Sequence, residues 1–520
     1  MRPDDILNAM SDISDRHIEQ ARPKRRRARY LAAALAAVLV IAVALPSVLP
    51  RMGGANSESG IADLEESAPE SSIQFMSYAG PIMPLTSTAE GLSAGRTVTL
   101  DFSPWEPVWH DIDSMLAELP ESERENARAE YEELYPDGGY WSESTDIIVR
   151  DSYVLSGAEG HTVLVYPFIS SFSELAGDMP SLTLDGRPLY GALYAGDLAG
   201  YYAGDTGGGF DYGSGIDSWD SLSAVLASGG YMAAALENDM SFAETPVTVY
   251  RVEDISAPPE SEEAQNPTLE LSFTVDTDST TVWSWGFNGG SWDFETGEMS
   301  RNFSTSHDRD GGHCLIVIGG DISEPAVTGY RAGDCSEGNE LEGVTASVTR
   351  EETTMGEILR EAFDSYMENY FGVEYGGTDG FDRELLYSVS LRTLALYYET
   401  GAEIYEDVGS LFGAIAAYDR VFYLVCDVDL SAGGVFTAEL VKEASFDYQC
   451  AHTENQGLSG YELAAGLGSN IDMLSLTARL ENFENCTISG GNFGFDPENG
   501  VFETELDPSV DLYHLEVRRK

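Results

Sequence analysis

Lysine is nearly missing from this chain: three of 520 residues, Lys24, Lys442 and Lys520. Lys and Arg together number 28 against 89 Asp and Glu, a formal net charge of −61. Gripping nucleic acid takes a basic surface facing the phosphates, so no nucleic-acid partner is expected. Cysteine is scarce as well, with five residues, all in the second half. An odd number leaves at least one thiol free or bound to another chain. Cys314 with Cys335, and Cys450 with Cys486, are the candidate pairs. The other outcome is a set of buried thiols acting as small apolar side chains. Catalytic signatures are lacking too: there is no His-Glu-x-x-His helix and no phosphate loop ending in Gly-Lys-Ser/Thr. None of the three lysines stands three residues after a serine, which excludes a Ser-x-x-Lys site. With 84 acids beyond residue 29, any two carboxylates look paired, so acid spacing points to no glycosidase. No enzyme is expected.

What the chain does have is a sharp partition. Residues 1–29 hold eight basic and five acidic residues, a net +3, and the remainder carries −64. At the joint, YLAAALAAVLVIAVALPSVL, Tyr30 to Leu49, has no charged residue. Twenty residues at about 1.5 Å each span about 30 Å as a helix, the thickness of a bilayer core. The cluster Lys24 to Arg29 abuts one end, and only Arg51 stands near the other. That asymmetry places the N-terminus in the cytoplasm and the acidic body outside, in a single-pass protein of the cell membrane. A cleaved signal peptide ending at Ala42-Val43-Ala44 is the rival reading; the 29 residues ahead of the run, five of them acidic, favour an anchor.

The head is amphipathic. Ile6, Met10 and Ile13 recur at helical spacing, and Pro3, Asp4 and Asp5 suit a helix start. So short a helix needs something to pack on: a cytoplasmic protein at residues 1–29 is one candidate partner and the membrane surface another, and a plain topogenic tail is the simpler alternative. The run DILNAMSDISDRHIEQARPKRRRARYLAAALAAVL resembles the N-termini of single-pass membrane proteins of Gram-positive gut bacteria, some grouped with anti-sigma-factor-like proteins. SYAGPIMPLT, GFNGG and NFGFD resemble recurring pieces of their β-rich ectodomains. The resemblance implies a sigma factor as the cytoplasmic regulator. The His-x3-Cys-x2-Cys zinc motif of that class is missing, because residues 1–29 hold no cysteine.

Beyond a flexible Gly/Ser/Glu stalk (50–72), strand-like runs dominate. The expected fold class is mainly β with some α: an N-terminal transmembrane helix, then tandem β-sandwich-like ectodomains with a helical insertion. The expected divisions are a β-rich domain with helices (73–255), a β-rich domain (256–350), a helical segment (351–400) and a C-terminal β-rich domain (401–520). DSYVLSGAEGHTVLVYPF reads as a hairpin, and Asn288-Gly289-Gly290 as the turn of another. SLTLDGRPLYGALYAG repeats the pattern around Asp185-Gly186.

Two clusters are candidate sites. SHDRDGGHC places His307, Asp308, Asp310 and His313 within seven residues, donors that suit a divalent cation, the one cofactor in view. Gly311-Gly312 explains the same stretch as a plain turn. Trp283, Trp285 and Phe287 alternate, which puts them on one strand face. Exposed, they would stack on sugar rings; buried, they are a sandwich core. The leading expectation is therefore a cell-surface protein engaged in sensing or interaction. The alternative is a surface module for glycans or cell-wall polymers.

Overall fold

The computed structural model describes residues 80–520 apart from 119–123, 125–126, 129–130, 133, 198–218, 262–263, 294, 306–311, 372–381, 401–406, 418, 431–432 and 445–456. The expected head, the span Tyr30 to Leu49 and the stalk lie outside the described residues. Among the described residues, no helix is long and apolar enough to cross a membrane. Strand accounts for 47% and helix for 23%, so the chain is mainly β with some α.

Among the described residues, the largest sheet has seven strands, in the order Glu503–Leu506, Asp472–Glu481, Ser93–Asp101, Ile147–Ser156, Gly434–Lys442, Ser181–Leu184 and Arg187–Leu189. Early and late strands alternate across it. Ser93–Asp101 runs parallel to Asp472–Glu481 and antiparallel to Ile147–Ser156. A second sheet, Thr86–Ser87, Gly160–Ser170, Arg420–Leu430 and Ala192–Ala195, mixes the two ends of the chain in the same way. The boundaries expected between 73–255 and 401–520 therefore separate nothing: the two segments form one unit. Local composition breaks mark where a chain leaves a fold. They carry no signal that it returns later as a neighbouring strand.

The expected hairpin of DSYVLSGAEGHTVLVYPF is instead an arch. Ile147–Ser156 and Gly160–Ser170 lie in different sheets, and so do Arg420–Leu430 and Gly434–Lys442. The two arches pair strand for strand, Ile147–Ser156 with Gly434–Lys442 and Gly160–Ser170 with Arg420–Leu430. Gly433, at φ +124°, makes the second bend, and a Cβ there would collide with the Leu155 carbonyl. Both arches join strands whose apolar faces meet across the core, so alternation is satisfied as well as in a hairpin. SLTLDGRP does form a hairpin, with Asp185 and Gly186 at φ +52° and +73° and Leu184 opposite Arg187.

Residues 246–354 fold as an inserted sandwich. One sheet runs Thr280–Trp285, His313–Gly319, Pro246–Ser256, Thr345–Thr354, and the other Gly289–Asp293, Glu298–Ser304, Thr268–Thr274, Ala326–Tyr330. The turn expected at Asn288-Gly289-Gly290 is another crossing between sheets, since Thr280–Trp285 and Gly289–Asp293 never pair. Met355–Tyr366, Arg383–Thr400 and Val408–Ala417 cover the outer face of the first sheet and share a core with the main sandwich. The sequence suggests the first two helices but not the third. Thr354 caps the first, accepting the Glu357 amide.

Candidate functional site

Four strands end together at one edge of the main sandwich. The register sets Ile147 opposite Lys442 and Ser170 opposite Arg420. Asp146, Asp419, Lys442 and Glu443 are thereby brought to the same end. The turn after Ser170 leads into the short helix Leu175–Asp178 and adds Glu174 and Asp178. Ser170 Oγ donates to Asp178 Oδ2 at 2.8 Å, and Ser171 Oγ donates to Glu174 Oε2 at 3.2 Å. Lys442 sits beneath, 5% exposed, with Glu462 of Leu458–Ala464 among the charges it faces.

Burial sets the electrostatics. It pushes the Asp178 carboxyl up to about 6 and Asp419 up to about 7, with the Glu174 charge adding to both. Asp146 is raised by burial as well, and Glu443 moves the same way although its side chain reaches solvent. Burial lowers Lys442, against the pull of Asp178 and Asp419. Lys442, with Arg420 next to Asp419, thus faces more carboxyl groups than the two cations can neutralise, in a medium that disfavours charge. The titration of Asp178, Asp419 and Glu443 is thereby brought toward neutral pH.

The sign of its effect on stability follows. A carboxyl whose folded pKa is raised costs nothing below the unfolded value of about 3.9, where both states are protonated. As pH climbs toward the folded value the unfolded chain ionises first, and stability falls. For Asp419 the loss develops between about pH 4 and 7 and is complete above. Asparagine mimics the protonated form. Asp419→Asn is expected to raise stability at pH 8 by about 1–2 kcal/mol, a discounted figure because the side chain is only partly buried. At pH 4 it should change little; urea unfolding at the two pH values checks this.

A second buried network is closed. Arg96 Nε and Nη2 donate to Asp151 Oδ1 and Oδ2, both at 2.9 Å. Tyr153 and Tyr166 hydroxyls add bonds to Oδ2 at 3.0 and 3.2 Å. Arg96 Nη1 reaches the Ala464 and Ala465 carbonyls. Its partners come from both faces of the sandwich and its side chains have no exposure, which suits a clamp rather than a site.

The residues singled out from sequence fare differently. His307, Asp308 and Asp310 lie outside the described residues. His313 is buried, its Nδ1 2.6 Å from the Gly286 carbonyl and its ring stacked on Phe303 at 3.7 Å. Among the described residues no group of three His, Cys, Asp or Glu side chains is placed to hold a metal ion. Trp283, Trp285 and Phe287 are 1%, 6% and 5% exposed, so they form no surface platform for sugars. Nor do they share a face. Trp283 and Trp285 pack toward the helices, whereas Gly286, at φ +85°, turns Phe287 into the core between the inserted sheets. Cys314, Cys335, Cys426 and Cys486 are free thiols, so the candidate Cys314–Cys335 pair does not form and the free-thiol alternative holds for these four. Cys450 lies outside the described residues.

The expected lack of catalytic signatures needs one correction: Gly91-Leu92-Ser93-Ala94-Gly95 has the Gly-x-Ser-x-Gly spacing of a nucleophile elbow. A working elbow turns from a strand into a helix. Here the turn leads into Ser93–Asp101, a strand paired on both sides.

No family model, no curated protein and no solved structure matches this chain.

Proposed function

We propose that the chain is a single-pass protein of the cell surface, with residues 1–29 in the cytoplasm and an acidic, β-rich region outside that senses or interacts. The charge partition carries this reading: +3 ahead of the apolar run Tyr30 to Leu49 and −64 after it. The carboxyl groups clustered with Lys442 support the sensing half, because Asp178 and Asp419, raised to about 6 and about 7, register external pH. The amphipathic head supports signalling to a cytoplasmic regulator such as a sigma factor.

The test uses the full chain in intact cells, with a tag at each end. Protease added outside is expected to remove the C-terminal tag and spare the N-terminal one, while the N-terminal fragment stays with the membrane through an alkaline wash. Release of the whole chain, or loss of the N-terminal tag, would sink the topology. A full-length pull-down that retains no sigma factor would remove the signalling half alone.

A further inference from the structure

Beside the main sandwich stands a two-stranded hairpin, Val108–Asp111 with Gly139–Ser142. One face is occupied: His110 stacks on Tyr140 and Tyr140 on Tyr135, each at 5.0 Å, above a small core of Ile112, Met115, Leu116 and Tyr131. The other face carries Trp109 and Trp141, directly opposed in register, with ring centroids 5.3 Å apart. They are 40% and 62% exposed, whereas Trp105, Trp283 and Trp285 are buried. A Cβ at Gly139 would collide first with the His110 carbonyl oxygen and would also stand 2.8 Å from Cζ2 of the Trp109 ring.

We propose that this outward face is a docking surface for a basic polypeptide segment, whose Arg and Lys side chains lie against the two indole rings. Charge complementarity identifies the partner. Among the described side chains of residues 106–144, Glu106, Asp111, Asp113, Glu132, Asp137 and Glu143 stand against two arginines. Arg128 is held by Asp113 at 2.8 Å, with Glu132 at 3.7 Å, and Arg124 donates to the Ala117 carbonyl. Asp111, two residues along the strand from Trp109, is kept ionised by hydrogen bonds from Ser114. Indole faces attract cations, guanidinium most readily among side chains, and surrounding carboxylates raise the local cation concentration. A neutral sugar would use the rings but gain nothing from the charge.

The inference deepens the interaction half of the function proposed above and rests on it. It does not need the membrane orientation, so the two fail separately. The experiment titrates purified full-length chain in detergent, at 150 mM salt, with an Arg-Gly octapeptide. The same peptide with Gln for Arg, and a hexamer of N-acetylglucosamine, serve as rival probes. The basic peptide is expected to bind, and Trp141→Ala and Trp109→Ala each to weaken it about tenfold. Trp141→Phe should restore most of the affinity, and Trp292→Ala, at another exposed tryptophan, should leave it unchanged. Affinity unchanged in the double alanine variant would overturn the proposal, as attraction by the acidic body at large. So would tryptophan-dependent binding of the sugar hexamer in place of the peptide. Should Trp109→Ala disturb the hairpin, Trp141→Ala carries the test, because its side chain is mostly in solvent.

Discussion

Asp151→Ala is expected to destabilise the chain by about 3–5 kcal/mol, one of the largest single-residue effects in this molecule. The reason is what it leaves behind. Arg96 and Asp151 have no solvent-exposed side-chain surface, and the guanidinium meets the carboxylate through two parallel bonds. Removing the carboxylate strands a cation in the core with no counter-charge, left to backbone carbonyls and the Tyr153 ring, and it leaves the Tyr153 and Tyr166 hydroxyls without that acceptor. Burying an unpaired charge costs more than the pair itself contributes. Asp151→Asn keeps an acceptor but not the charge and should fall between. Replacing Arg96 and Asp151 together by apolar residues of similar volume is expected to recover most of the loss. Urea midpoints for the three variants check the order, and an alanine variant as stable as wild type would show that the pair does not clamp the sheets.

This clamp was legible in the sequence, though only to a reader asking which residues break the alternation. In SAGRTVTLD the inward positions are Ala94, Arg96, Val98 and Leu100; in IIVRDSYVLS they are Ile147, Val149, Asp151, Tyr153 and Leu155. Each strand carries one charge in an apolar row, of opposite sign. GVFTAELVK repeats the signal, with Lys442 after Phe436, Ala438 and Leu440 on the buried side. A charge at an inward parity is expensive unless paired, so such positions mark networks or sites. Strand existence was equally readable, because two-residue periodicity and turn glycines are local. Partner choice was not. Whether Ile147–Ser156 turns back on Gly160–Ser170 or arches away depends on Gly434–Lys442, nearly 300 residues on, and nothing local encodes that. The exposed pair escaped for the same reason: Trp109 and Trp141 sit 32 residues apart and meet only through the hairpin register.

Trp283→Ala is expected to cost about 3–5 kcal/mol as well, by cavity formation, with no selective loss of any surface interaction. Its ring is 1% exposed in the layer between the inserted sheet and the helices, 6.0 Å from Phe242. Ile316, directly opposite on His313–Gly319, belongs to the same core. Relaxation there is limited, because the layer is closed on one side by paired strands and on the other by Met355–Tyr366 and Val408–Ala417. Phe287→Ala should act in a different place, loosening the contact with Phe303 at 5.5 Å and with His313, and leaving the helical layer intact. The pair of variants therefore separates two readings of one aromatic stripe. As core, both lower the urea midpoint and Trp283→Ala lowers it more. As a sugar platform, both would keep the midpoint and abolish retention on immobilised glycan. Burial of all three rings favours the core, and a single glycine at a left-handed φ splits that core in two, because it breaks the period of two that makes the three rings look like one face.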